Sequence, residues 1–218
     1  MNLLESAPTA PGERVTARRF TLAAFEAFVN LPENAAKSFE LIDGVAYEMP
    51  SPTPVHGWIV ARLIYLLMNF VVARKLGDVF SEVNDFILAP GLVLQSDVSF
   101  VAAGRIRSLY QKFDFAPDIA IEVVSPSNLP HVIAAKVEAY LQHGSHMVIA
   151  LYPEDRTVRV FTPAPQTGYQ WITLHAADTL TGGAVLPGFA VPVRDLFPPD
   201  EIGSAADESN PKATPHDE

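Results

Sequence analysis

Glu122 lies in the run Ile119-Ala120-Ile121-Glu122-Val123-Val124, where an ionised carboxylate is out of place. Such a charge costs roughly several kcal/mol in an apolar strand unless it is paired or bound to a metal. A second carboxylate, Asp97, sits among Leu94, Val98 and Phe100 in the preceding apolar run. Two carboxylates on adjacent strands can share a divalent cation, with Mg²⁺ the hard-ligand expectation and Mn²⁺ the alternative. Lys136, among Val132, Ile133, Val137 and Tyr140, is the third candidate. An ammonium reaching back from a helix can orient a water or stabilise charge developing on a phosphate. The residues alone leave plainer readings open. Asp97 and Glu122 read equally well as satisfied structural acids at strand ends, and Lys136 by itself reads as a surface lysine with its stem on apolar ground. Asp118 shares a strand face with Glu122 by alternation, but a metal pair drawn from two strands has the better geometry, so Asp118 is secondary. His56, just after Thr53 at a helix start, and Glu40, readable as an exposed hairpin acid, also have ordinary structural explanations.

The elements that must carry these residues follow from periodicity and punctuation. Thr21 caps a short amphipathic helix that ends at Leu31-Pro32. Phe39-Glu40-Leu41-Ile42 and Val45-Ala46-Tyr47-Glu48-Met49 flank Asp43-Gly44, a strong hairpin signal. Val55 to Lys75 carries Ile59, Leu63, Leu66, Leu67, Phe70 and Val71 at helical spacing, predicting a long, mostly buried helix. The pattern then predicts strands over 79–88, 92–101 and 119–124, a helix over 131–143 closed by Gly144, a buried strand over 147–151, and an edge hairpin over 158–162 and 169–174. Leu186-Pro187-Gly188-Phe189 reads as a packing turn. The expected fold is an α/β core with a mixed central sheet flanked by helices, an N-terminal hairpin and C-terminal strands.

Composition narrows the chemistry. With no cysteine among 218 residues, thiol nucleophiles and cysteine-ligated zinc or iron–sulfur sites are excluded. No run of about 18 apolar residues offers a membrane span, and no secretory signal opens the chain, so a soluble cytoplasmic protein is expected. A net charge of -10 argues against passive coating of nucleic acid. However, residues 198–218 carry six acids against Lys212 and supply half of that charge. They read as an acidic disordered tail, residues 1–19 as a flexible N-terminus, and residues 20–197 as the single folded domain.

In joint order and spacing, several segments resemble one family: Phe39-Glu40-Leu41-Ile42-Asp43-Gly44, Ser51-Pro52 through His56-Gly57, Ser96-Asp97-Val98, Pro117-Asp118 through Ser125-Pro126-Ser127, Lys136 through Tyr140, and Leu186-Pro187-Gly188-Phe189. The chain resembles the Uma-two family of restriction-endonuclease-like proteins, common in bacteria, with a PD-(D/E)XK nuclease core. The resemblance implies a Mg²⁺-dependent endonuclease acting on DNA. It assigns Asp97 and Glu122 as metal acids, Lys136 as the displaced catalytic lysine (Val124 stands where many such nucleases keep it), and Glu40 and His56 as accessory residues. It departs from the family pattern at Ser96 for Pro, at Asn128 for Asp, and in lacking a Trp in the strand over 147–151. Pairing as a homodimer is implied by the superfamily's double-strand cutting.

Two functions follow. The first is hydrolysis of DNA phosphodiesters. The second, motivated by net acidity and the lack of a dense basic cluster, is a catalytically silent binding or regulatory module. Arg105, Arg107 and Lys112 form the one local concentration of positive charge, readable as a solvated loop or as a phosphate clamp.

Overall fold

Thr21 opens helix α1 (Leu22–Val29) by accepting the Ala24 N–H at 3.2 Å, and Phe25 and Phe28 turn inward. Strands β1 (Phe39–Ile42) and β2 (Val45–Glu48) then pair across Asp43 and Gly44, whose φ values of 51° and 75° are those of the expected two-residue turn. Helix α2 (Pro54–Arg74) begins with proline in its first turn behind the Thr53 cap and stops where Lys75 turns left-handed. The computed structural model containing these elements describes residues 19–82, 84–126 and 128–199. The expected flexible N-terminus up to residue 18, the tail from residue 200 and Ser127 lie outside the described residues.

After α2, two corrections to the expected strands matter for function. The run over 79–88 is two strands, β3 (Gly77–Ser81) and β4 (Phe86–Ala89), and the run over 92–101 is also two, β5 (Leu92–Leu94) and β6 (Val98–Ala102). The halves belong to different sheets. A small sheet has the order β2-β1-β5-β4, whereas β3 and β6 pair with each other in the large one. Glu82, Asn84 and Asp85 in one run and Gln95 to Asp97 in the other are the described polar residues between strands of the two sheets. Asp97 is therefore at the crossing just before β6, not within a strand.

The large sheet continues through β7 (Ile119–Val123), α3 (Pro130–Gln142), β8 (Met147–Tyr152), β9 (Thr157–Ala164) and β10 (Gly168–Leu174), in the order β10-β9-β8-β7-β6-β3. Only β7 and β8 run parallel, with α3 as their connection, so the sheet is mixed as expected. A last hairpin, β11 (Thr179–Gly182) and β12 (Leu186–Pro192), shows that Leu186 to Phe189 forms a strand and not a turn.

Alternation along β7 sorts its side chains. Ile119, Ile121 and Val123 join the core with Ile59, Leu63, Leu67 and Val71 of α2, while Ala120 joins the other core with Val132, Val137 and Tyr140 of α3. Each large apolar side chain buried in this way contributes roughly 1.5–3 kcal/mol. Glu122, two residues beyond Ala120, thereby faces α3. One expectation fails here: by length and composition α2 is apolar enough to cross a membrane, with a mean hydropathy of 1.7 over an 18-residue window. The run is broken by Arg62 and Asn69, so counting uninterrupted apolar residues misses it. Its inner face packs in the core, and Tyr65, Met68 and Val72 lie exposed on its outer face.

Candidate functional site

Strand register builds a row of carboxylates. In the antiparallel pair β3–β6, Ser81 faces Val98; carried one residue further, the same register puts Glu82 opposite Asp97. In β6–β7, Val98 faces Ile121, and one step further Asp97 stands opposite Glu122. Directly opposed residues share a sheet face with their Cβ atoms about 5 Å apart. Three acids from distant segments are thus set side by side where three strands end. The Val123 N–H donates to Asp97 Oδ2 at 2.5 Å and fixes that carboxylate at the strand end. His56, in the first turn of α2, places Nε2 3.1 Å from Asp97 Oδ1. One ligand atom from each of His56, Glu82 and Asp97 lies within 4.8 Å of the others.

Behind this row is a buried cluster. Lys136 Nζ donates to Glu122 Oε2 at 2.6 Å, to Glu40 Oε1 at 2.9 Å and to the Gln95 carbonyl at 3.0 Å. An ammonium has three protons, and all three are engaged. Lys136 is 1% exposed and Glu40 is fully buried, so neither is the surface group that its own segment suggests. Glu40 Oε1 also accepts the Gln95 N–H at 2.7 Å. Burial alone would drive the lysine to lose its proton, but Glu122 and Glu40 outweigh it and hold the ammonium charged. For both carboxyls burial is the larger effect: Glu122 is pushed well above the usual carboxylate range and Glu40 also rises, with Lys136 opposing in each case. Two carboxylates therefore share one ammonium, beside a third in Asp97. The cluster holds three carboxyl groups for one ammonium, an excess of acids over cations.

That excess faces an opening. A cavity of about 370 Å³ is lined by His56, Glu82, Asp97 and Glu122, with Ser125 and Asn128 at its edge. Glu122 Oε1 is buried without a hydrogen-bond partner, although Glu122 lines this cavity. A buried unpartnered carboxylate oxygen beside a second carboxylate suits a divalent cation, so the donor set fits the metal expected for this site. His56 is held above its ordinary pKa, chiefly by its hydrogen bond to Asp97.

Of the residues singled out from sequence, Asp97, Glu122, Lys136, Glu40 and His56 come together. Asp118 does not. It lies at the opposite end of β7, bound to Arg105 at 2.9 Å and accepting the Ala102 N–H at 2.8 Å. Arg105 also donates to the Ala116 carbonyl, and Lys112 bridges Asp85 and Glu26 at 2.9 and 3.2 Å, so two of the three loop cations are occupied in holding the loop. Glu82 was missed. Its signal was present: the apolar run of β3 ends at Ser81, and pairing β3 with β6 in register would have placed it across from Asp97. Asn128, a departure from the family pattern, has a local role, accepting the Ser125 N–H at 2.6 Å.

A profile of the Uma2 family, described as "Putative restriction endonuclease", matches residues 25–194. Among solved structures, the chain is similar to "a putative nuclease belonging to DUF820" from Anabaena variabilis, with 23% identity, 82% of this chain and 97% of that chain covered, and a TM-score of 0.69. At that identity the likeness shows a common fold. No curated protein matches the sequence. Because the family match spans most of the chain and takes in the carboxylate row, His56 and Lys136, the chain belongs to the Uma2 family.

Proposed function

We propose that the protein is a divalent-cation-dependent endonuclease that hydrolyses DNA phosphodiester bonds, with Asp97 and Glu122 as the metal acids. The observation that carries this reading is Glu122 Oε1, buried and unpartnered beside the cavity, in a cluster with three carboxyl groups for one ammonium. Membership of a family described as "Putative restriction endonuclease" supports DNA as substrate. Mg²⁺ is the expected ion for oxygen ligands, and when bound it supplies a water of lowered pKa and neutralises phosphate charge. Lys136 has no proton left for a water or a phosphate. Its part is to oppose the effect of burial on Glu122 and to occupy Oε2, which leaves Oε1 for the cavity. Glu40 and the Gln95 carbonyl hold Lys136 in that position, so both act on the chemistry through it. We extend the reading to a cytoplasmic protein that pairs as a homodimer, since cutting both strands of a duplex calls for two sites.

The test is cleavage of supercoiled plasmid by purified protein with Mg²⁺, with Mn²⁺ and with a chelator. Cation-dependent nicking that disappears in Glu122→Gln is expected; nicking that survives this variant sinks the assignment. One observation favours the second reading, a catalytically silent module: Lys136, Arg105 and Lys112 all have their charges committed to partners within the protein. Cation binding without cleavage of any DNA tested would select it.

A further inference from the structure

We propose that the outer face of α2 is an interface at which a second copy of this chain docks antiparallel, bringing its own Arg74 and Lys75 to the lip of the acidic cavity. Gly57, Ala61, Tyr65, Met68 and Val72 are all exposed and, at helical spacing, fall within about 80° of arc, so they form one straight stripe. The whole helix holds no acid, and the stripe itself holds no charge. A contiguous apolar stripe facing water marks an interaction surface. Gly57 adds a second sign. Glycine is a poor helix former, and a Cβ placed at this position would meet nothing within 4 Å, so no packing within the chain calls for it. The close approach of another backbone does.

The order of sizes along the stripe selects the occupant. Residues are small towards the start of α2 and large towards its end, so a two-fold axis between Ile64 and Tyr65 sets Gly57 against Val72 and Ala61 against Met68 of the other copy. Each large side chain then meets a small one, as close helix packing needs. A lipid surface would be indifferent to that order. Charge fixes the same direction. The end of α2 carries Arg74 and Lys75, both exposed, against one acid nearby in the chain, Asp78, while its start stands beside Glu82, Asp97 and Glu122 at the cavity. Antiparallel pairing joins unlike ends, whereas parallel pairing would set Lys75 against its own copy. Lys75 is about 16 Å from the two-fold, and a crossing of about 20° displaces it by about 5 Å, within a lysine's length. The interface stands on this helix, whereas the use of Lys75 against a phosphate rests on the nuclease reading. There the second copy supplies a cation where Lys136, Arg105 and Lys112 are all committed to partners.

The chain has no cysteine, so introduced thiols report contacts cleanly. Full-length protein is first sedimented over a range of concentrations. A dimer is expected, and Ala61→Arg should weaken it about a hundredfold with an unchanged circular dichroism spectrum. Ala61→Cys and Met68→Cys variants, one carrying a size tag, are then oxidised together and separately. Only the mixture should form a disulfide-linked dimer, because each position lies about 10 Å along the axis from its counterpart in the other copy. Lys75→Glu should weaken the dimer about tenfold at low salt, with the difference fading at high salt. Monomers at every concentration, or cross-linking of either variant with itself, overturn the proposal. Flotation of monomeric protein with phosphatidylcholine vesicles also overturns it and assigns the stripe to lipid. A dimer unaffected by Lys75→Glu overturns the delivery of Lys75 to the acidic lip. Plasmid cleavage is scored separately: intact plasmid with every cation removes the nuclease reading, and the mixed disulfide in that case still supports the interface.

Discussion

Asp118, immediately before β7, and Glu122, near the strand's other end, are buried alike, at 5% and 4% exposed. Their surroundings differ. Asp118 meets a guanidinium and a backbone N–H within 3 Å, and its carboxylate ties the loop after β6 to the sheet. Glu122 has one oxygen on Lys136 and the other without a partner beside a cavity, next to two more acids. Burial of an acid, then, does not mark a functional site; a buried acid that the fold leaves incompletely satisfied does.

The comparison can be broken most sharply through activity. Asp97→Ala or Glu122→Gln should lower plasmid cleavage by about a thousandfold or more, on the order of 4 kcal/mol of barrier, whereas Asp118→Ala should leave divalent-cation affinity as in wild type. If Asp118→Ala abolishes cation binding in calorimetry, the two ends of β7 are not distinct. Next in size, Lys136→Met should destabilise the fold by roughly 3 kcal/mol in urea, because it leaves Glu40 and Glu122 buried without their ammonium. Adding Glu40→Gln should recover part of that loss, and strict additivity would show that the cluster does not act as a unit. Asp118→Ala itself should cost about 2 kcal/mol, mainly from the Ala102 N–H left without its acceptor, since Arg105 can rehydrate.

The smallest effect is in pH. Glu122, Glu40 and His56 all have folded pKa values above their ordinary ones, so each binds more protons folded than unfolded. For the carboxyls the penalty on the folded state is absent below 4.5 and grows as pH rises through the folded values. His56 gives its full contribution below 6.5 and loses it as pH rises through its own folded value. Lys136 stays charged throughout this window. Cation-free protein should therefore melt a few degrees higher near about pH 5.5 than near about pH 8. Saturating Mg²⁺ should flatten that slope by holding Glu122 ionised, and Glu122→Gln should flatten part of it without metal. A slope unchanged in both cases would show that the acid end of β7 does not titrate as described.

Much of this was legible in sequence, for local reasons. The hairpin at Asp43-Gly44, the cap at Thr21 and the carboxylate inside an apolar strand are signals written within a few residues. The errors arose where the outcome depends on distant partners. Two strands became four because the polar residues between them, Glu82, Asn84 and Asp85 in one run and Gln95 to Asp97 in the other, are too few to stand out in an apolar run. Glu40 was misjudged because β1 is buried on both faces, so alternation carries no information about which side meets water. Lys136 was misjudged for a similar reason: its helix shows an apolar neighbourhood, but the carboxylates that draw it inward are 14 and 96 residues away. Glu82 needed the pairing of β3 with β6, which no local pattern states.

The carboxylate row has a consequence for assembly. Its members belong to chain segments that meet only when β3, β6 and β7 have paired in one alignment. A slip of a single residue between β3 and β6 would turn Glu82 to the far face of the sheet. A cation held by this row would bind the correctly aligned sheet and discriminate against its shifted competitors, and the stabilisation it confers would fall on that alignment alone. The ion would then serve as a gauge of folding, and protection of β3 amides from hydrogen exchange on adding Mn²⁺ would report how strictly it reads the alignment.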